Sequence, residues 1–431
     1  MKDSNRMILK LLIPAFGIFV LVATRQATAS VLQVWGGARE VIALDSDGTV
    51  LTWGYNADGQ LGNGNTTNQA LAARVPNLID VKAVMGAELF NIALKSDGTV
   101  WTWGANNLNN SNLVYLLGLG SAYDGNAFVP SPTQMPGLSN VTLLGSRAYH
   151  AVAVKSDGTV WTWGLNKHFS LGLNNSTVTD TPNQVSGVSN PGMVTAGYGF
   201  SLALLQDQTL VSWGANNSEA LGNLAQYNGG NPNDSYLPVA VTGLTHVIAV
   251  SAGWEHVLAL KSDGTVWAWG TNTWGGACGP GMGRLGIVDG ASSPVTDEPV
   301  PTQIPGLANV IQVSAGDGHS AVLKSDGTAW TFGANACGQL GNGDNSYAPQ
   351  YQPVQVPGLT NVVWLMARDH HTQAIKSDGT IWSWGSGEQG ELGQPCTPIL
   401  VSQTPSGSDC TNSNIPKQTI IDAIFTNGFE P

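Results

Sequence analysis

The sequence predicts an all-β protein, a seven-bladed β-propeller whose blades are four-stranded antiparallel sheets. Three observations predict it. One unit recurs seven times, each copy divides into four strand-length segments, and glycine-bearing turns separate those segments. The composition agrees: 54 Gly and 15 Trp, with only 11% charged residues, describe short strands and tight turns, not helices.

The repeat is marked by the Asp of an "SDGT" phrase, at Asp47, Asp97, Asp157, Asp207, Asp263, Asp326 and Asp378, with spacings of 50, 60, 50, 56, 63 and 52 residues. Each copy then reaches Trp-Gly or Phe-Gly (Trp53-Gly54 through Trp384-Gly385), and most continue to an Asn and a Leu-Gly. In the fifth copy the strands are expected at His246–Gly253, His256–Lys261, Thr265–Gly270 and around Val300–Ile304. Asp263-Gly264 between the second and third strands suits a two-residue type I′ hairpin turn. The fourth copy has Gln208 in place of the turn Gly, so a different turn is expected there.

Phrases such as "AGDGHSAVLKSDGTAWTFGANACGQLGNG" (Ala315 to Gly343) resemble repeats of the regulator of chromosome condensation family. The resemblance runs from the start of the repeats to about residue 405 and implies seven propeller blades. The expected domains are a leader (1–29), the propeller (30–405) and a tail (406–431). The tail's "IFTNGFEP" resembles short endings of exported bacterial proteins.

The leader has the three parts of a secretory signal: Lys2, Arg6 and Lys10, an apolar run from Leu11 to Ala23, and the small-residue site Ala27-Thr28-Ala29. No run reaches the roughly 18 apolar residues of a membrane helix. An exported chain from Ser30 is expected, periplasmic, cell-surface or extracellular. It has 13 basic against 28 acidic residues, a net charge of −15, and so lacks the basic surface that neutralises nucleic-acid phosphates. A monomer without cofactor is expected.

Four Cys allow three pairings. Comparable loops favour Cys278–Cys337 and proximity favours Cys396–Cys410, with four free thiols as the alternative. No C-x-x-C suggests zinc or redox chemistry.

Repetition is an internal control on candidate sites: what every copy shares serves every blade. The seven turn Asp residues are too far apart to share a proton. "DSDG" (Asp45 to Gly48) lacks the Glu of a calcium loop. Eleven of the 15 Trp fall at two positions of the third strand and are expected to fill the wedge between blades, each worth about 4–6 kcal/mol as an upper bound. His150, His256, His319 and His371 share a position with Glu40, Phe90 and Phe200, which favours bulk over metal binding. "GMGRLG" (Gly281 to Gly286) imitates a phosphate loop, but its Leu-Gly is the repeat's own and no helix follows.

Alternating strand direction places the "SDG" turns, with Lys95, Lys155, Lys261, Lys324 and Lys376, on one uniform face. The variable first-to-second turns and third-to-fourth loops share the other. All nine Tyr fall there: Tyr55, Tyr115, Tyr123, Tyr227, Tyr236, Tyr347 and Tyr351 in the loops, Tyr149 and Tyr198 in the turns, joined by Trp254 and Trp274. Tyr and Trp among Asn, Ser and Gly are the composition of a binding surface. The expectation is a non-enzymatic scaffold that binds a macromolecule, a protein above all, through this face. Exported relatives that block β-lactamases with one propeller face make that reading plausible by resemblance. Two alternatives are guanine-nucleotide exchange, which the family resemblance implies, and a protein that binds or acts on polysaccharide.

Overall fold

The computed structural model describes residues 31–107, 115–176, 179–223, 227–228, 231–232, 234–275, 278, 281–289, 293–344, 346–394, 397–398, 408–409 and 411–420. The expected leader, the "IFTNGFEP" tail and the proposed Cys396–Cys410 pair lie outside the described residues. Among the described residues no helix is long and apolar enough to cross a membrane.

Seven four-stranded antiparallel sheets form, each with its strands side by side in chain order. In the fifth blade they are Val247–Ala252, His256–Lys261, Val266–Thr271 and Asp297–Gln303. The seventh blade takes its fourth strand from Ser413–Gln418, paired to Ile381–Gly385. That strand lies beyond residue 405, where recognisable repeat phrases stop, because a fourth strand bears no phrase of its own. The propeller therefore continues to Gln418.

Each joint between blades is built alike. The second Trp of a third strand is fully buried at Trp53, Trp103, Trp163, Trp213, Trp269 and Trp384, with Phe332 in the sixth blade. It lies on the Leu-Gly glycine of the preceding blade: a Cβ on Gly222 would come within 2.8 Å of Trp269 Nε1, and one on Gly172 within 2.9 Å of Trp213. Only glycine lets the loop approach so closely, and these glycines also have φ near +65°. In blades two, four and five the indole N–H also donates to the backbone just before that Leu-Gly: Trp103 Nε1 to Gln60 O (2.8 Å), Trp213 Nε1 to Ser170 O (2.9 Å) and Trp269 Nε1 to Ala220 O (2.9 Å). The ring closes the same way, with Trp53 Nε1 on Glu391 O (3.0 Å). Trp364 Nε1 adds a bond to Val34 O (3.3 Å), and among the described residues no strand is shared between first and last blades.

Three of the four repeat histidines bond across the same joints. His150, His256 and His319 turn towards the next blade, where Nε2 meets Ser201 Oγ, Ser320 Oγ and Thr372 Oγ1, each at 2.8 Å. Those hydroxyls donate onward to Ser170, Arg284 and Gln339 carbonyls, so the imidazole Nε2 carries the proton. The side chains thus do not converge on the axis. Cys278 and Cys337 form a disulfide (Cα–Cα 5.4 Å) that clips the loops of blades five and six together.

Two expectations are corrected. The first Trp of the third strand does not fill the wedge. Trp101, Trp161, Trp267, Trp330 and Trp382 are half-buried at the rim. Each lies beneath the Lys of its own blade, from 3.9 Å for Lys324 over Trp330 to 5.4 Å for Lys95 over Trp101. The "SDG" turn is also not type I′, since only its Gly has positive φ. Gly98 N–H bonds to Lys95 O (3.0 Å) and Lys95 N–H to Thr99 O (3.0 Å), a three-residue loop with a left-handed Gly. Asp97 Oδ1 holds it by accepting from Thr99 N (2.9 Å) and Oγ1 (2.6 Å). The fourth blade, expected to differ, makes the same turn with Gln208 at φ 66°.

A side chain in the left-handed region costs about 1–2 kcal/mol, partly offset by the flexibility that glycine adds to the unfolded chain. Gln208→Gly should raise stability in chemical denaturation by about 0.5–1 kcal/mol. The histidines set a pH dependence. Burial lowers His150 to about 4 and His319 and His371 to about 3, and holds His256 well below its usual range. Above the unfolded value of about 6.5 both states are neutral and nothing is gained. Below it the unfolded chain binds protons that the fold excludes, so stability falls by about 1.4 kcal/mol per pH unit for each histidine. His150→Phe, the residue found in blades two and four, should remove about 1.4 kcal/mol per unit from the slope of unfolding free energy between pH 6 and 4.5.

Candidate functional site

The first strands of the seven blades line the central channel, so the turns that follow them meet around the axis on the variable face. Their residues are 37–39, 87–89, 147–149, 197–199, 253–255, 316–318 and 368–370. Backbone bonds link neighbouring turns: Ala38 N to Glu88 O (3.3 Å), Glu88 N to Ala148 O (2.9 Å), Tyr198 N to Trp254 O (2.9 Å) and Trp254 N to Gly316 O (3.3 Å). Side chains of different blades are thereby held in one surface.

Blades three to five contribute an aromatic row. Tyr198 stacks on Trp254 with centroids 4.1 Å apart and planes 12° apart, and Tyr149 meets the edge of Tyr198 at 6.2 Å. Lys167 places its ammonium 5.7 Å from the Tyr198 ring. All three aromatics are half-buried, each presenting part of a ring at the surface. A shallow cleft lined by Tyr149, Leu165, Lys167, His168 and Tyr198 runs beside them. Further out, Phe169 stacks on Tyr236 at 3.7 Å, and His168 Nδ1 lies 2.9 Å from Asp234.

Blades two, six and seven contribute ionisable groups. Five turns begin with Gly or Ala, whereas the third and seventh begin with Arg147 and Arg368, which fill the space left by the small residues. Arg147 Nη1 donates to Ala252 O (3.2 Å) and Ala315 O (2.8 Å), and Nη2 to the Asp317 carboxylate. Arg368 Nη2 donates to Gly86 O (2.6 Å). Together they tie blades across the axis and close the channel.

Beside them Asp317 and Asp369 share a hydrogen bond, so one of the two keeps a proton. Burial raises both, but at Asp317 the Arg147 guanidinium, the Asp369 hydrogen bond and His370 together outweigh it, and Asp317 stays below the usual carboxylate range. Burial and the Asp317 charge push Asp369 well above it, so the proton resides on Asp369. Burial, then Asp317, lifts Glu88 to about 7, and burial with Glu88 nearby lifts the Tyr149 phenol above its usual value. Arg284, the Arg of "GMGRLG", is fully buried and donates to Thr271 O (2.5 Å) and Asp317 O (2.8 Å). It is a structural tie, with no phosphate-loop geometry.

Sequence reasoning missed this network. Aligning the copies on His150 and its counterparts exposes the two Arg among five small residues, which is the signal that was available. Of the other candidates, Tyr347 is 38% exposed, while Tyr55, Tyr115 and Tyr351 are half-buried. Tyr123 packs against the second blade's core. The side chains of Tyr227 and Trp274 lie outside the described residues. Among the described residues no group of three His, Cys, Asp or Glu could hold a metal.

The regulator of chromosome condensation (RCC1) repeat matches residues 47–87, 157–204, 209–260, 263–323 and 326–375, and a second form of it matches 247–275 and 310–339. The ultraviolet-B receptor UVR8 of Arabidopsis thaliana is 28% identical over 375 residues, 84% of this chain and 78% of the receptor. Protein pim1 of Schizosaccharomyces pombe is 30% identical over 386 residues, 83% of this chain but 59% of pim1. Among solved structures, Prp20p of Saccharomyces cerevisiae superposes with a TM-score of 0.67 at 20% identity, covering 81% of this chain and 84% of Prp20p. With blade-length repeat matches over more than half its length and the propeller that those repeats build, the chain belongs to the regulator of chromosome condensation (RCC1) repeat family.

Proposed function

We propose that this chain is a non-catalytic, exported propeller that binds a protein partner through the variable face, centred on Tyr149, Tyr198 and Trp254. The observation that carries this reading is the stacked aromatic row shared by three consecutive blades. Half-buried, mutually stacked rings offer contact area with little side-chain entropy left to lose on binding. The neighbouring Glu88, Asp369 and His370 give the face an ionisable half suited to a partner with apolar and basic groups side by side. Tyr55, Tyr115, Tyr123, Tyr347 and Tyr351 would extend the contact outward.

Relatedness supports a regulatory or protein-binding role: Prp20p, which has the same fold, is a protein with binding properties to Gsp1p and histones. The export part rests on the charged start, apolar run and small-residue site of the first 29 residues. The Arg147–Asp317–Asp369 cluster supports a structural use, because its arginines and Asp317 are buried and directed at other blades.

A photo-crosslinking residue at position 198, compared with one at Ser262 on the opposite face, tests the reading in envelope and culture fractions of the native host. Crosslinks to a protein are expected from 198 and not from 262, and Trp254→Ala should weaken capture about 30-fold, as at an interface hot spot. Capture from 262 alone, or capture indifferent to Trp254, contradicts it. Retention on polysaccharide that Trp254→Ala abolishes would replace it with the glycan-binding alternative. Sequencing the recovered chain should give Ser30 as its first residue, and an intact Met1 would reject the export proposal.

A further inference from the structure

The central channel is a well with one closed end. Its cavity of about 150 Å³ is walled by the first strands of the blades, with Ala83, Met85, Leu143, Met193, Trp364 and Met366 facing it. Arg147 and Arg368, 3% and 5% exposed, stop it at the variable face. At the other end exposed Thr142 and Ile311 mark a mouth on the face of the "SDG" turns.

The wall is apolar because its polar side chains are used sideways. Gln312 exchanges bonds with the Leu365 backbone (2.9 and 3.0 Å), Ser314 does so with Ala367 (3.3 and 2.8 Å), and Ser251 Oγ accepts from Ala315 N (3.0 Å). Three polar atoms of lining residues are exceptions, buried and without a protein partner: Gln33 Oε1, Trp35 Nε1 and Arg147 Nε. Gln33 is 4% and Arg147 3% exposed. By strand register they succeed one another towards the closed end, with Gln33 opposite Leu44, Trp35 opposite Ile42 and Arg147 opposite His150.

An apolar cavity of this volume accommodates a single six-carbon ring. Two unpaired N–H groups and one unpaired carbonyl oxygen ask for a ligand group that both accepts and donates. We propose that the channel is a binding site for a small apolar molecule with one hydroxyl, of phenol size, which enters from the turn face and stops beneath the arginines. This site is separate from the protein-binding face and stands or falls without it.

Calorimetric titration with p-cresol and toluene tests the proposal. Wild-type protein should bind both, and p-cresol the more tightly. Trp35→Phe, which keeps the ring and removes the N–H, should weaken p-cresol about fivefold and leave toluene unchanged. Ala249→Trp, which fills the channel, should abolish both. A crystal of the wild-type chain soaked in p-cresol gives an answer independent of any variant, with the ring expected between Trp35 and Met193. No binding at about 10 mM, the same affinity in a folded Ala249→Trp protein, or p-cresol found only outside the channel would overturn it.

Discussion

Every blade depends on one contact, a buried aromatic ring laid against a glycine of the preceding blade; in blades one, two, four and five its indole N–H also donates to the backbone beside that glycine. The contact joins three elements of the repeat that are scattered along the chain. The ring comes from the third strand and the glycine from the loop after the previous third strand, and in blades four, six and seven a hydroxyl from the second strand donates to the backbone beside it. In blade four one carbonyl accepts both, Ser170 O from Trp213 and from Ser201, so loss of one partner disturbs the other. Repeated seven times around a ring, the contact joins the first and last blades too, which share no strand among the described residues. The first and last blades meet through Trp53 and the Glu391 carbonyl, as other pairs do, with Trp364 added at this joint alone.

A scaffold held this way frees the residues that it does not use. The turns at the axis are constrained in backbone by their links to one another, yet they hold Arg, Tyr, Trp, Glu and Asp in different blades. The result is an asymmetric face on a symmetric frame: aromatic across blades three to five, ionisable across blades six, seven and two. The two arginines belong to both descriptions. They bind backbone carbonyls of distant blades, as a structural tie does, and they separate the variable face from the channel beneath it.

The fold was legible because its signals recur. Blade number, strand directions, the disulfide between Cys278 and Cys337 and the turn role of the Asp residues all follow from comparing copies. What escaped depends on features a repeat does not display. Trp267 and Trp269 look equivalent in sequence, but only the second reaches the glycine of the neighbouring blade. Gln208 looks like a change of turn, yet the loop's hydrogen bonds, including those made by Asp207, hold it in the glycine's conformation. Ser413–Gln418 bears no phrase that marks a strand. The network of Arg147, Arg368, Asp317 and Asp369 joins residues from blades three, six and seven, and a pattern read along the chain does not show which side chains cross an axis.

The central claim is that repeated residues hold the frame and unrepeated ones make the face. Two tryptophans fifteen residues apart in one blade, Trp254 and Trp269, separate these roles. The most direct measurement is the unfolding free energy of Trp269→Ala beside that of Trp254→Ala. The account predicts a loss of about 3–5 kcal/mol for the first, as for a large aromatic removed from a packed core. For the second it predicts a loss within about 1 kcal/mol, since a half-exposed ring forfeits little burial. Equal losses, or a greater loss at Trp254, would contradict it.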